Sequence, residues 1–139
     1  MAILVAAHPA GALRLKKVLA GHELSFVSTM EEAEQVLERG RFLGILLGVQ
    51  FDESRMLKLL ERLRSEKRLP IPVVCIIGIK GRLSEAAVNA CKKAASALGA
   101  EAVLDLAHFP DDERGNARLR GTILSTMLAS RPASVPQDW

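Results

Sequence analysis

The residue types that could do chemistry are few in this sequence and stand far apart. The three histidines, His8, His22 and His108, are isolated, and no spacing of His, Cys, Asp and Glu resembles a metal site. The segment Gly78–Gly81 is short and lacks the pattern of a phosphate-binding loop. Ser25, Ser28 and Ser54 do not lie in a nucleophile elbow either. We therefore predict that the chain is not an enzyme and that it holds no cofactor and no metal.

Composition and charge limit the partners that the chain can bind. Of its 139 residues, 49% are hydrophobic and only 4% are aromatic, so the core must be aliphatic. The 19 basic and 16 acidic residues leave a net charge of +3, and neither half of the chain carries a polybasic patch. Binding to nucleic acid or to a membrane therefore gains little support from charge. A chain of this length suits one compact domain.

The cysteines and the first residues indicate the compartment. Cys75 and Cys91 are too few for a disulfide framework, and both read as small buried hydrophobes, which fits a reducing environment. The apolar run Met1–Ala7 is too short for a signal peptide or a membrane span. We therefore predict a cytoplasmic protein.

Apolar runs alternate with amphipathic segments along the whole chain. The predicted strands are Ile3–Ala7, Glu23–Ser28, Leu43–Val49, Val73–Ile77 and Ala102–Leu106. The predicted helices run from Pro9 to about Leu19, from the capping box Thr29–Glu32 to Gly40, through Met56–Leu63 after a loop at Phe51–Ser54, from Ser84 to Leu98, and from the acids at 111–113 to about Ser130. This alternation predicts a parallel sheet covered on both faces, in a three-layer α/β/α sandwich. We predict one domain over residues 1–130 and a tail or linker at 131–139.

Three local runs add a family resemblance to this alternation. The run Ile3–Val5 opens the first strand, Ile71–Val74 begins the fourth, and Gly99–Leu104 leads into the fifth. These runs resemble the matching segments of receiver domains, the CheY-like domains of bacterial response regulators in two-component signalling. The resemblance covers residues 1 to about 130. It implies a flavodoxin-like, doubly wound sheet of five parallel strands in the order 2-1-3-4-5, with five helices.

The resemblance also places the phosphorylation site of a receiver on this sequence. The acidic pair that would hold Mg²⁺ falls on Ala7 and His8, and the aspartate that would accept the phosphoryl group falls on Gly48. The switch hydroxyl falls on Ile77, or on the next residue in a shifted register, and the lysine falls on Leu106. Metal ligands, nucleophile, hydroxyl and cation are all missing. The resemblance therefore implies a degenerate pseudo-receiver without a route to phosphoryl transfer.

Residues around these positions leave alternatives open. Asp52 lies four residues beyond Gly48, and we favour a helix cap or a solvated acid over a replacement phosphoacceptor. His8 ends the first strand, where open parallel sheets bind ligands, although a loop residue before Pro9 is the simpler interpretation. Ala7 and Gly48 vacate volume at the strand ends that a nucleotide or metabolite could enter.

Basic residues gather after the fourth strand and on the helix that follows it, at Lys80, Arg82, Lys92 and Lys93. They either receive an acidic partner or form an ordinary solvated face. In receivers, the surface made by helix four, strand five and helix five is the usual output and dimer surface. The resemblance therefore implies a protein partner or a homodimer through helices 4 and 5.

The last helix has an apolar sector wider than core packing requires. One stripe of it is formed by Leu119, Ile123 and Met127. Leu124 and Leu128 lie well round from that stripe, and left uncovered they would form a contact surface. Alternatively, the tail covers them through Val135 or Trp139.

These observations predict a signalling domain that works without phosphorylation. We expect it to act by protein–protein interaction, as a dimer or with a protein of its pathway, through a surface that includes Lys92, Lys93, Leu124 and Leu128. The alternative is a small-molecule sensor that uses the vacated volume at the carboxyl ends of the strands.

Overall fold

The structure is a computed structural model that describes residues 2–49, 51–67, 69–78 and 84–130. Its five strands form one parallel sheet in the order β2-β1-β3-β4-β5, which confirms the predicted topology. The predictions for Lys80, Arg82 and residues 131–139 lie outside the described residues. The strands are β1 Ala2–Ala6, β2 Leu24–Val27, β3 Phe42–Gly48, β4 Val73–Ile77 and β5 Ala102–Asp105.

The strands are continuously apolar where both faces of the sheet are covered. Every residue of the inner strands β1 and β4 is buried, as expected for central parallel strands, whereas the edge strand β5 is half-buried throughout. β5 ends at Asp105, one residue earlier than predicted. Leu106 instead begins a 3₁₀ turn, Leu106–His108, because the Asp105 Oδ1 atom accepts a hydrogen bond from the Ala107 N–H at 2.9 Å.

Five helices cover the sheet, as predicted. They are α1 Pro9–Val18, α2 Met30–Arg39, α3 Met56–Glu61, α4 Glu85–Ala97 and α5 Glu113–Ala129. The prediction of a loop at Phe51–Ser54 is wrong, because this segment forms a single helical turn and buries Phe51 in the core. A π-helical segment, Arg62–Glu66, continues α3.

The helices divide into two layers, each with its own aliphatic core. Side chains of α2, α3 and α4 pack against one face of the sheet, and Ala33, Leu60 and Ala95 are fully buried there. Side chains of α1 and α5 pack against the other face, where Leu15 and Leu119 lie among the buried residues. The result is the predicted three-layer α/β/α sandwich.

Side-chain caps start two of the helices where the sequence predicts them. The Thr29 Oγ1 atom accepts a hydrogen bond from the Glu32 N–H at 3.2 Å, and the Glu32 carboxylate accepts from the Ser28 hydroxyl, so the predicted capping box is confirmed. This hydrogen bond from Ser28 is the main reason that the pKa of Glu32 lies below its ordinary value. Ser84 caps α4 in the same way, since its Oγ atom accepts from the Ala87 N–H at 3.1 Å.

Two glycines let α5 approach its neighbours closely. A Cβ atom on Gly44 of β3 would lie 2.6 Å from the Met127 Sδ atom, so the missing side chain makes room for α5 on the sheet. A Cβ atom on Gly115, in the first turn of α5, would overlap the Pro110 carbonyl oxygen and lie 2.9 Å from its carbon. The start of α5 is therefore fixed against the preceding loop.

A polar network joins α1 to the start of α5. Arg14 donates to the Asn116 Oδ1 atom at 3.1 Å and to the Phe109 carbonyl oxygen. Lys17 donates to the Asp111 Oδ1 atom at 2.7 Å, and this bond is the main reason that the pKa of Asp111 lies below its ordinary value. Because these partners lie about a hundred residues apart in sequence, the network ties the first helix to the last.

A second arginine binds the chain at the amino-terminal ends of β4 and β5. Arg64, on the π-helical segment, donates to the carbonyl oxygens of Leu69 at 2.6 Å, Ile71 at 2.7 Å and Gly99 at 3.0 Å. It also pairs with the Glu101 carboxylate at 3.0 Å. One guanidinium therefore satisfies carbonyl oxygens in the segment that precedes β4 and in the segment that precedes β5, as its five donors allow.

Candidate functional site

The five positions matched to a phosphorylation site meet at the carboxyl edge of the sheet. Ala7 and His8 follow β1, Gly48 ends β3, Ile77 ends β4 and Leu106 follows β5. The register places Gly48 beside Ile76 and Ile77 beside Asp105, so the strand ends are level with one another. The strand ends are therefore arranged as a site at the carboxyl edge requires, but the side chains at these positions are not those of a phosphorylation site.

Apolar residues occupy four of these five positions, Ala7, Gly48, Ile77 and Leu106. Ala7 is 6% exposed, Ile77 is 0% exposed and Leu106 is 7% exposed. Ala7 and Leu106 belong to the core between the sheet and the helices α1 and α5. Gly48 is buried and has no side chain, while His8 is half-buried. None of these four supplies an oxygen ligand, a hydroxyl or a cation.

Asp52 is the acid that lies nearest to Gly48 in sequence within the described ranges. Its Oδ2 atom accepts a hydrogen bond from the backbone N–H of Met30, the first residue of α2, at 2.9 Å. The same atom lies 3.7 Å from the Arg55 Nη1 atom. The carboxylate therefore satisfies an otherwise unpaired donor at the positive end of α2, and the prediction of a helix cap is confirmed.

An open groove of about 580 Å³ lies next to the strand ends, above β4 and β5. Its lining combines both signs of charge, since it includes Arg14 and Lys92 as well as Glu85 and Asp105. At its base Gly78 has a φ of +88°, and a Cβ atom there would lie 3.3 Å from the Asp105 Oδ1 atom. Neither Ala7 nor Gly48 lines this groove in the described residues, so the space lies to one side of the volume that the sequence suggested.

Sequence reasoning missed three members of this groove: Arg14, Glu85 and Asp105. Asp105 carried a readable signal, since a carboxylate directly after an apolar strand belongs at the carboxyl edge of a parallel sheet. The position of Asp105 at the strand end was missed because the apolar Leu106 extended the predicted strand by one residue. Arg14 and Glu85 carried no such signal, because only the folded chain brings α1 and α4 to the same edge.

The structure separates the four residues that were predicted to form one partner surface. Lys92 lines the groove above β4 and β5, and Lys93 is exposed on α4. Leu124 is half-buried and faces Lys17 in a second groove between α1 and α5. Leu128 is 59% exposed near the end of α5. The α4 and α5 residues therefore belong to different helix layers, with the edge strand β5 between them.

The cysteines do not provide a nucleophile. Burial raises the pKa of Cys75 to about 12, and burial also raises the pKa of the half-buried Cys91 thiol. Both thiols are therefore protonated near neutral pH.

Across the described ranges, no group of three or more His, Cys, Asp and Glu side chains is placed to hold a metal ion. None of the helices described is both long enough and apolar enough to cross a membrane.

The topology and the level strand ends define a flavodoxin-like α/β fold of the CheY type. No protein-family model matches the sequence, and no curated protein sequence matches it. Solved structures do match. A response regulator from Chloroflexus aurantiacus J-10-fl has 20% sequence identity and a TM-score of 0.71, with 92% of this chain and 97% of that chain covered.

Two further solved structures give the same result. A CheY-like receiver domain from Methanospirillum hungatei JF-1 has 18% identity and a TM-score of 0.66, over 93% of this chain and 94% of that chain. The Mn²⁺-bound response regulator Rcp1 also has 18% identity and a TM-score of 0.66, over 97% of this chain and 98% of that chain. At these identities the likeness shows the receiver fold, and the Mn²⁺ belongs to that protein.

Proposed function

We propose that this chain is a pseudo-receiver, a signalling domain that keeps the receiver scaffold and works without phosphorylation. One observation carries the proposal: the strand-end positions Ala7, Gly48, Ile77 and Leu106 are buried and apolar. A receiver fold whose site handles no anion can still present surfaces to a protein partner. We place its work in the cytoplasm, within a two-component pathway.

The electrostatics of phosphoryl transfer support this proposal. The reaction depends on cations that neutralise the charge developing on the transferred group. Here Leu106 stands where the cation would be, and Ala7 offers no ligand to a divalent metal. A phosphoryl group at residue 48 would have to be buried against hydrocarbon without a partner, which is strongly unfavourable.

Incubation with acetyl phosphate and Mg²⁺ is expected to leave the mass of the chain unchanged. The reason is that the matched positions Ala7, Gly48, Ile77 and Leu106 supply neither a carboxylate nucleophile nor a cation. Intact-mass spectrometry under conditions that preserve acyl phosphates measures the result. An acid-stable, base-labile adduct on the chain would contradict the proposal. If the Asp52→Asn variant lost that adduct, the phosphoacceptor would be Asp52 and the chain would be an active receiver.

The proposed partner surface lies at the β5 edge, between α4 and α5. Within the described residues β5 is the last strand of the sheet on this side, and it is half-buried throughout. The outer face of α4 is rich in small exposed side chains, which permit close approach of another helix. They are Ala86, Ala87, Ala90 and Ala97. We propose that a protein partner or a second copy of the chain packs here.

Self-association through the exposed face of α5 is expected to weaken about tenfold in Leu128→Glu, because a leucine buried at an interface contributes roughly 1–2 kcal/mol. Sedimentation equilibrium measures the dimer constant. Leu13→Glu is the matched control, since Leu13 is 79% exposed but lies on α1, away from the β5 edge. Equal weakening in both variants would place the contact elsewhere. Leu124→Glu is less informative, because Leu124 packs against the core.

A small-molecule sensor is the second candidate, and the groove above β4 and β5 favours it. Its paired charges, Lys92 and Arg14 against Glu85 and Asp105, suit a small zwitterion or a phosphorylated metabolite. A metabolite panel read by thermal shift tests this candidate. A true ligand loses its shift in Lys92→Ala and keeps it in Lys93→Ala, the adjacent exposed lysine on the same helix. Shifts that both variants retain would contradict binding in this groove.

A further inference from the structure

The edge strand β2 has backbone groups that no strand pairs with among the described residues. The Ile3 N–H donates to the Glu23 carbonyl oxygen at 2.9 Å, and Ile3 lies opposite Leu24 in the parallel register. Alternate residues of a strand bond to one neighbour in such a ladder, so the odd-numbered residues of β2 pair with β1. The N–H and C=O groups of Leu24 and Phe26 therefore point away from the sheet.

The side chains of the same two residues form an apolar groove with the end of α1. Val27 belongs to the core on the α2 side of the sheet and Leu24 to the core on the α1 side, so the even-numbered residues of β2 face α1. The groove has a volume of about 420 Å³, and Leu19, Leu24 and Phe26 form its apolar lining. Phe26 is 42% exposed. A segment added to β2 would gain main-chain hydrogen bonds and cover this ring.

β2 also lacks the features that commonly protect an edge strand from further pairing. Its four residues, Leu24–Val27, include no charged residue and no proline, and its register with β1 has no bulge. The edge strand on the other side of the sheet, β5, ends in the charged Asp105. Of the two edges, β2 is therefore the one that an added strand can approach with less opposition.

The charged side chains beside the groove are positive. Lys16 and His22 line it, and its described lining contains no acid. The Arg120 Nη2 atom lies 3.4 Å from the His22 Nε2 atom and brings a guanidinium to the same place. Lys17 pairs with Asp111, whereas Lys16 pairs with no acid among the described residues. A carboxylate on the occupant would therefore complement this groove.

A second copy of the chain does not bring that carboxylate. Antiparallel pairing of two β2 strands joins the outward-facing, even-numbered residues of both copies. The residues that each copy presents to the other groove are then His22, Leu24, Phe26 and Ser28, and none of them is an acid. Glu23 falls on the α2 face of the sheet by the alternation of the strand. A second copy therefore matches the apolar part of the groove but not its charge.

We propose that β2 accepts an extended segment of a protein partner as a sixth, antiparallel strand. The segment carries one apolar side chain opposite Phe26, a second opposite Leu24, and a carboxylate opposite His22, on the face that Lys16 lines. Along the partner chain, the recognised pattern is apolar–x–apolar–x–acid. The surface lies across the sheet from β5, so this inference does not rest on the pseudo-receiver proposal.

Amide signals of the full, isotope-labelled chain test this strand addition by nuclear magnetic resonance. The probe is the capped peptide Gly-Val-Thr-Val-Thr-Glu-Gly, whose β-branched residues favour an extended strand. We expect millimolar peptide to shift the amide signals of Leu24 and Phe26 and to slow their exchange with solvent. The exchange of the Ser25 amide, which already pairs with β1, should change little. A peptide with lysine in place of glutamate should bind severalfold more weakly.

Two variants separate the backbone contribution from the charge. Phe26→Pro removes an outward-facing N–H and the exposed ring, and it leaves the ladder with β1 intact because that donor does not pair with β1. We expect it to raise the dissociation constant of the peptide about tenfold. Lys16→Ala should raise it about threefold. Lys93→Ala, which removes an exposed lysine of α4, is the matched control and should leave it unchanged.

The proposal is wrong if the Leu24 and Phe26 amides do not respond to millimolar peptide, or if the glutamate and lysine peptides bind equally well. It is also wrong if Phe26→Pro binds the peptide as the wild type does, which would place the peptide elsewhere. Phe26→Lys replaces the proline variant if circular dichroism shows that the latter does not fold. Protection of these amides that grows with the concentration of the chain alone would assign the edge to a second copy and overturn the proposal.

Discussion

Gly115→Ala is expected to lower the free energy of unfolding by about 3 kcal/mol. The new Cβ atom would overlap the Pro110 carbonyl oxygen, which is backbone and cannot rotate away. Relief requires α5 to move, and that movement breaks the 2.7 Å hydrogen bond from the Gly115 N–H to the Asp112 cap. Urea unfolding followed by far-ultraviolet circular dichroism measures the loss.

Gly121→Ala is the matched control in the same helix. A Cβ atom on Gly121 meets nothing within 4 Å, so the substitution is expected to stabilise the chain by roughly 0.5–1 kcal/mol through helix propensity. The two alanine variants should therefore change stability in opposite directions. If both raised it, the close contact between Gly115 and Pro110 would be incorrect.

Arg64→Met is expected to cost about 3 kcal/mol, because it removes a charged donor from three carbonyl oxygens and takes the guanidinium away from the Glu101 carboxylate, which keeps its hydrogen bond from the Val73 N–H. The side chain is mostly shielded from water, at 19% exposure, so solvent replaces the lost bonds only in part. Lys58→Met, at an exposed position of α3, is the control and should stay within about 0.5 kcal/mol of wild type.

A double-mutant cycle separates the two parts of the Arg64 contribution. If the charge pair matters, Glu101→Gln should cost less in the Arg64→Met background than in the wild type, with a coupling of roughly 0.5–3 kcal/mol. Strict additivity would mean that Arg64 stabilises the edge through the carbonyl oxygens alone.

Much of the fold could be predicted because its signals are local. β4 is an unbroken β-branched run behind two prolines, and its predicted bounds, Val73–Ile77, agree with the structure. The caps at Thr29 and Ser84 were also predictable, since each hydrogen bond spans only three residues. The boundary at Asp105 was misplaced because hydropathy does not distinguish the last residue of a strand from an apolar residue in the next turn.

The position of the candidate site was predictable from the sequence, but the residues that line it were predictable only in part. Residues at strand ends can be located from the alternation, which is why Ala7, Gly48, Ile77 and Leu106 do meet at one edge. The groove next to them was not predictable, since α1, α4 and two strand ends all contribute to its walls. Which neighbour the Leu124 side chain meets depends on where α1 lies, and the helical periodicity of the sequence gives no information about that position.

The burial of Ala7 and Leu106 in one core has an evolutionary consequence. A carboxylate at residue 7 or a lysine at residue 106 would first appear without its counter-charge, in the same apolar core as Leu15 and Leu119. Each such step lowers stability before any ion is bound to reward it. Selection would therefore oppose each intermediate sequence between this apolar strand-end site and a site that forms an acyl phosphate.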